Sequence, residues 1–178
     1  FGSAIVVPGR GFFLNNELTD FSALPADEAG RPVANRVEGG RRPRRTALDD
    51  PAALGGKRPC SSMAPTLVLK EGRPLLALGT PGGPRIIQYV AWVLLLTLDQ
   101  GMELQQAIAF PHLTHLDGKT VLEPSWDDPA LADALRGLGH VVESGEQNSG
   151  LHGIWIDPET GLLTGAADPR REGVAIGY

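Results

Sequence analysis

Leu78-Gly79-Thr80-Pro81-Gly82-Gly83-Pro84-Arg85-Ile86 is the stretch on which the fold turns: an apolar strand runs into consecutive glycines, and a long apolar helix runs out of them. A turn of this kind leaves free backbone N–H groups at the head of a helix. The helix dipole favours negative charge there, and glycine lets a ligand approach without a side chain in the way. The spacing does not match a phosphate loop of the G-x-x-x-x-G-K-[ST] type. Two readings stay open for Gly82 and Gly83: amides that hold an oxyanion or another anion, or a plain strand-to-helix turn.

Upstream, Thr66-Leu67-Val68-Leu69 and Leu75-Leu76-Ala77-Leu78 read as a hairpin across Lys70-Glu71-Gly72-Arg73-Pro74, both strands apolar enough to be central in a sheet. Downstream, the helix runs to about Asp99 and stops at Gly101. It is apolar nearly all round and therefore needs cover on most sides. A second helix fits residues 102–109, and a third opens at Asp128-Pro129 and closes at Gly137 and Gly139. Residues 140–143 read as a strand, and residues 153–156 and 162–165 as a hairpin across Asp157-Pro158-Glu159-Thr160-Gly161. Residues 4–7 and 12–14 form another hairpin at the start. Strands with inserted helices, without strict alternation, predict an α+β fold of mostly antiparallel sheets covered by helices.

The length of 178 residues suits one domain, residues 1–178, with residues 23–57 as a long loop. Its densest part, Arg41-Arg42-Pro43-Arg44-Arg45, is either an anion or partner site or a solvated mobile loop. A hydrophobic fraction of 42% and a charged fraction of 21% are those of a soluble globular protein. A net charge of −5 argues against a general nucleic-acid binder, which needs a positive footprint. The single cysteine, Cys60, rules out an intramolecular disulfide and any site with several thiolates. The apolar run over residues 86–98 falls short of the roughly 20 residues of a membrane-spanning helix. No cofactor is expected. Phe1-Gly2-Ser3-Ala4 reads as a processed or truncated start.

Other candidates for chemistry flank the glycine turn. Ser61 and Ser62, in a Pro-bounded turn before a core strand, either donate to a carboxylate or form a polar turn. Glu17 and Asp20, three residues apart after an apolar strand, either hold an ammonium group or face solvent. Cys60 is a nucleophile or a small buried residue. His112 and His115 could share a metal only if a carboxylate joined them, and otherwise belong to a loop or the core. Asp168-Pro169-Arg170-Arg171 reads as a charged turn, with an internal ion pair as the alternative. There is no G-x-S-x-G elbow and no recognisable Ser/His/Asp order, so a self-contained hydrolase is not indicated.

Taken in order, Leu14-Asn15-Asn16-Glu17 with Asp20-Phe21-Ser22, Arg58-Pro59 with Ser61-Ser62-Met63-Ala64-Pro65-Thr66, and Pro81-Gly82-Gly83 with Arg85-Ile86-Ile87 resemble the γ-glutamyltransferase family. The closing Gly165-Ala166-Ala167-Asp168-Pro169-Arg170-Arg171 with Gly177-Tyr178 is similar to that family's C-terminus. The resemblance implies part of the four-layer αββα sandwich of N-terminal-nucleophile hydrolases, and the C-terminal portion of a small catalytic subunit cut from a precursor. It implies that Glu17 and Asp20 hold the α-amino group of a γ-glutamyl donor such as glutathione, and that Ser61 and Ser62 hold its α-carboxylate. The amides of Gly82 and Gly83 would form the oxyanion hole. Amino acids, peptides or water would be acceptors, and the large subunit of the same precursor the partner. The family's nucleophilic threonine precedes the position of Phe1, so this chain alone is expected to be inactive. A cephalosporin acylase would share the Gly-Gly site without needing Glu17 and Asp20. A non-catalytic amino-acid-binding module and a Cys60 or Ser62 hydrolase are further alternatives. Many bacterial relatives are exported to the periplasm.

Overall fold

Glu71 and Gly72 both take positive φ, 52° and 78°, and so close a two-residue hairpin turn whose twist matches its strands. The computed structural model describes residues 2–20, 28, 61–126 and 128–177, with residues 18 and 19 as backbone only. The turn is tighter than the five-residue connection read from the sequence, because Lys70 and Arg73 already pair across it. Strand β1 (Thr66–Lys70) thus lies antiparallel to β2 (Arg73–Gly79). A second hairpin joins β6 (His152–Ile156) to β7 (Leu163–Ala167), and the four strands form one antiparallel sheet in the order β1-β2-β6-β7. Asp157 stabilises that second turn by accepting the N–H groups of Glu159 and Thr160.

β1 is therefore an edge strand among the described residues rather than a central one. Its outward leucines explain why composition misleads: Leu67 is 66% exposed, while Val68 on the opposite face packs against the core. Period 2 gives one face to each set.

Helix α1 (Ile86–Leu94) follows a short 3₁₀ turn (Gly83–Arg85) and continues as a π-helical turn (Leu95–Asp99). Gly101, at φ 68°, ends it, and the N–H of Met102 reaches back to the Leu96 carbonyl. One side of this helix, Tyr89, Val90, Val93 and Leu96, joins Leu76 and Leu78 of β2 in the core. Ile87, Leu95 and Leu98 remain exposed, so the helix is covered on fewer sides than its composition suggests. Helix α2 (Leu104–Ala109) is capped by the Glu103 side chain, which accepts the N–H of Gln106. It comes so close to β6 that a Cβ on Gly153 would stand 3.1 Å from Leu104. Each fully buried leucine here contributes on the order of 2 kcal/mol.

A smaller sheet was not foreseen. β3 (Leu113–Leu116) and β4 (Lys119–Leu122) form a hairpin across Asp117 and Gly118, at φ 52° and 77°. Asp-Gly is the usual residue pair for this turn. The intervening His and Thr residues obscured the alternation. β5 (Val141–Ser144) adds parallel to β4. The crossover is helix α3 (Pro129–Gly137), whose Asp128 cap accepts the N–H groups of Ala130 and Leu131. The result is the α+β, mostly antiparallel architecture expected from the sequence. No helix among the described residues is long and apolar enough to cross a membrane.

Contacts divide the chain into two units, Phe1–Ser61 and Ser62–Tyr178. In the first, the predicted hairpin is present in reduced form: one bridge, Val6 to Phe13, flanked by Val7 N–H to Phe12 O and Leu14 N–H to Ile5 O. The long loop over residues 23–57, Arg41 to Arg45 and Cys60 lie outside the described residues, with Glu28 the exception.

Candidate active site

In the first unit, the Asn15 side chain accepts the N–H of Glu17 and opens a 3₁₀ turn (Glu17–Asp20). Side chains three residues apart eclipse one another in such a turn, so Glu17 and Asp20 share one side of it. The Ser61 hydroxyl donates to Glu17 Oε1 at 2.6 Å. Glu17 Oε2 is shielded from solvent with no hydrogen-bond partner among the described residues. A buried carboxylate oxygen without a donor is costly, and a ligand ammonium group would satisfy it.

In the second unit, the glycine turn has the conformation its sequence suggests. Gly82 sits at φ 147° and Gly83 at φ 59°, both disfavoured for residues with a side chain. The carbonyl of Gly82 accepts from Arg85 N–H and that of Gly83 from Ile86 N–H, whereas the N–H groups of the two glycines donate to no acceptor among the described residues. Both donors stand at the head of the helical stretch with the dipole behind them. The Ser62 hydroxyl donates to the Gly83 carbonyl at 2.7 Å, so holding a carboxylate would require that proton to turn away. The Thr80 hydroxyl donates to the Pro81 carbonyl and accepts from Gly150 N–H at 2.9 Å. A Cβ on Gly82 would lie 2.7 Å from the ring of Tyr89.

Sequence reading missed most of what lies beneath this turn. Asp168 and Arg170 take the second of the two readings, an internal ion pair, and the pair belongs to a larger cluster whose other members carried no signal. Arg170 forms two 2.6 Å bonds to the carboxylate of Glu123, bonds Asp168 at 3.1 Å, and donates to the carbonyls of Ile108 and Phe110. Burial works against ionisation of Glu123, but its bonds from Arg170 and His112 N–H and the Arg170 charge outweigh this and lower its pKa. For Asp168 burial is likewise outweighed, by Ser149, the N–H groups of Arg170 and Leu151, and the Arg170 charge, and its pKa is also lowered.

His112 is a core histidine, stacked on Tyr89 with ring centroids 4.6 Å apart. Ser149 gives its one proton to Asp168, so it must accept from His112 Nε2, 2.8 Å away. That fixes the tautomer and leaves Nδ1 buried without a partner among the described residues. Desolvation, with the nearby Arg170 charge, lowers the His112 pKa to about 4. His115 instead shares Thr120 with His140, so the two histidines of the 112–115 segment take different partners. Only the Asp-Pro-Arg-Arg string hinted at this cluster. Glu123, Gln147 and Ser149 are distant in sequence and carry no local signal.

The gamma-glutamyltranspeptidase family model matches residues 1–49 and 50–178. The glutathione hydrolase proenzyme of Bacillus subtilis (strain 168) is 35% identical over 99% of this chain, and the acylase ACY 1 proenzyme of Pseudomonas sp. (strain SE83) is 33% identical over 99% of it. The chain spans 27% of the length of each. The solved gamma-glutamyltranspeptidase of Pseudomonas nitroreducens, complexed with L-DON, superposes with a TM-score of 0.71 at 31% identity, covering 100% of this chain and 88% of that one.

Proposed function

The chain belongs to the gamma-glutamyltranspeptidase family, whose members share the N-terminal-nucleophile hydrolase fold, and on that premise we propose that it is the donor-holding and oxyanion-stabilising portion of an enzyme that cleaves γ-glutamyl amides. The observation that carries this reading is the pair of unengaged amides at Gly82 and Gly83, held at the head of a helix. They suit the developing negative charge of a tetrahedral intermediate, and such preorganised donors are often the largest catalytic contribution.

In this scheme a threonine hydroxyl outside the 178 residues attacks the γ-carbonyl of a glutathione-like donor. The oxyanion is held by Gly82 and Gly83, the amine leaves with a proton, and a γ-glutamyl ester on the threonine results. Water or an acceptor amine then releases the glutamyl group. Glu17 and Asp20 bind the donor's α-amino group, and Ser61 and Ser62 its α-carboxylate. The unpartnered Glu17 Oε2 supports the ammonium contact and favours a glutamyl donor over an acylase, which would not need that contact. The large subunit of the same precursor completes the enzyme.

The test is release of p-nitroaniline from γ-glutamyl-p-nitroanilide by the self-processed full-length precursor and by this chain alone. Turnover only by the precursor supports the reading. Turnover by the chain alone overturns it and directs attention to Cys60 and Ser62.

A further inference from the structure

Tyr89 lies directly under Gly82. A Cβ built on that glycine would meet Cε2 of the ring at 2.7 Å and Cδ2 at 3.1 Å, so the backbone of the turn rests on the aromatic ring itself. The ring is 1% exposed and cannot swing aside into solvent. Its hydroxyl donates to Gln147 Oε1 at 2.9 Å, and Gln147 in turn donates to Thr114 Oγ1 and the Val121 carbonyl in the smaller sheet. The ring's other neighbour is His112, held by Glu123 through its N–H and by Ser149 through Nε2.

The same segment that receives the phenol grips the turn a second time. Gly150 donates to Thr80, and a Cβ there would stand 2.9 Å from Pro81 and 2.7 Å from Arg171. Arg171 donates to the carbonyls of Asn148 and Ser149. The glycine turn is thus fixed from below by Tyr89 and from the side by Gly150. Two adjacent glycines lose more backbone freedom on ordering than any other pair. A support that selects one conformation is needed if the amides are to stabilise a transition state, since donors must be preorganised to contribute.

We propose that Tyr89 is a positioning residue for the oxyanion-binding turn, its ring, stacked on His112, setting the Gly82 peptide. The proposal rests on the function assigned above to Gly82 and Gly83. A residue that merely fills the core would change stability; one that positions the turn changes kcat and leaves donor binding alone, because the amides act on charge that develops only in the transition state.

The experiment compares wild type, Tyr89→Phe and Tyr89→Leu in the full-length, self-processed enzyme, with Tyr89→Met replacing Tyr89→Leu should the latter not fold. Two readouts are taken: steady-state kinetics on γ-glutamyl-p-nitroanilide, and amide hydrogen exchange of the peptide covering residues 79–86. Tyr89→Leu is expected to lower kcat roughly ten- to a hundredfold, the scale of a misplaced catalytic donor, with KM changed less than about threefold, and to speed exchange in that peptide. Tyr89→Phe, which keeps the ring, should restore kcat to within about threefold of wild type. Unchanged exchange, an unchanged kcat, or a loss carried by KM would each overturn the proposal. Exchange is read on variants that fail to cleave themselves as well. If wild-type enzyme does not turn over the γ-glutamyl substrate, the functional assignment fails, and exchange still decides whether Tyr89 sets the turn.

Discussion

The glycine turn and the ion cluster beneath it treat polar groups in opposite ways. At Gly82 and Gly83, two N–H donors have no acceptor among the described residues and the backbone is held at positive φ. Around Arg170, two carboxylates, a guanidinium and two backbone carbonyls are paired with little access to solvent. Unpaired polarity is tolerable where a ligand can complete it, and full pairing is required where none can reach. Under the function proposed above, the first arrangement serves binding and the second holds the parts that support it.

The largest expected effect breaks the paired region. Arg170→Ala leaves Glu123 and Asp168 as buried charges without a counterion and should cost about 3–5 kcal/mol, read as a fall in the urea midpoint of the mature enzyme. Arg170→Lys should recover only part of it, since an ammonium group cannot span the Glu123 carboxylate in bidentate fashion. Next comes the unpaired region: Gly82→Ala drives a Cβ into the Tyr89 ring and should reduce kcat roughly a hundredfold, with a smaller change in midpoint than Arg170→Ala.

His112 sharpens the comparison through pH. Its folded pKa, about 4, lies below the ordinary value of 6.5, so between these values the unfolded chain binds a proton that the folded one refuses. Stability from this group is therefore complete above about pH 6.5 and declines as pH falls towards 4, by on the order of 3 kcal/mol in all. Glu123 and Asp168, with lowered pKa values, lose their contribution only further down as they protonate. The thermal midpoint should fall over this window, and His112→Gln should flatten the fall. The smallest effect is expected at the exposed pair Lys119 and Glu143, 2.8 Å apart: Glu143→Gln should leave the midpoint unmoved, because solvent screens it.

Short-range signals were read well. Gly101 as a helix stop, Asp128-Pro129 as a start and Asp157 to Gly161 as a hairpin turn all depend on residues adjacent in the chain. Asp117-Gly118 is the same kind of signal, but the polar residues around it do not alternate clearly. The edge position of β1 was not legible, since apolar composition does not say which face a neighbour covers.

The candidate site divides in the same way. The order of motifs along the chain was enough to select Glu17, Asp20, Ser61, Ser62, Gly82 and Gly83 as candidates and to point to the family, because backbone freedom and donor or acceptor chemistry belong to residue type. Tertiary structure alone decided that Ser62 donates to Gly83, that Tyr89 lies under Gly82, and that Glu123, His112, Ser149, Asp168 and Arg170 meet in one buried cluster. Those contacts join residues up to 47 positions apart for a single ion pair, and such pairings follow from packing the sheets and helices together rather than from any local preference of the chain.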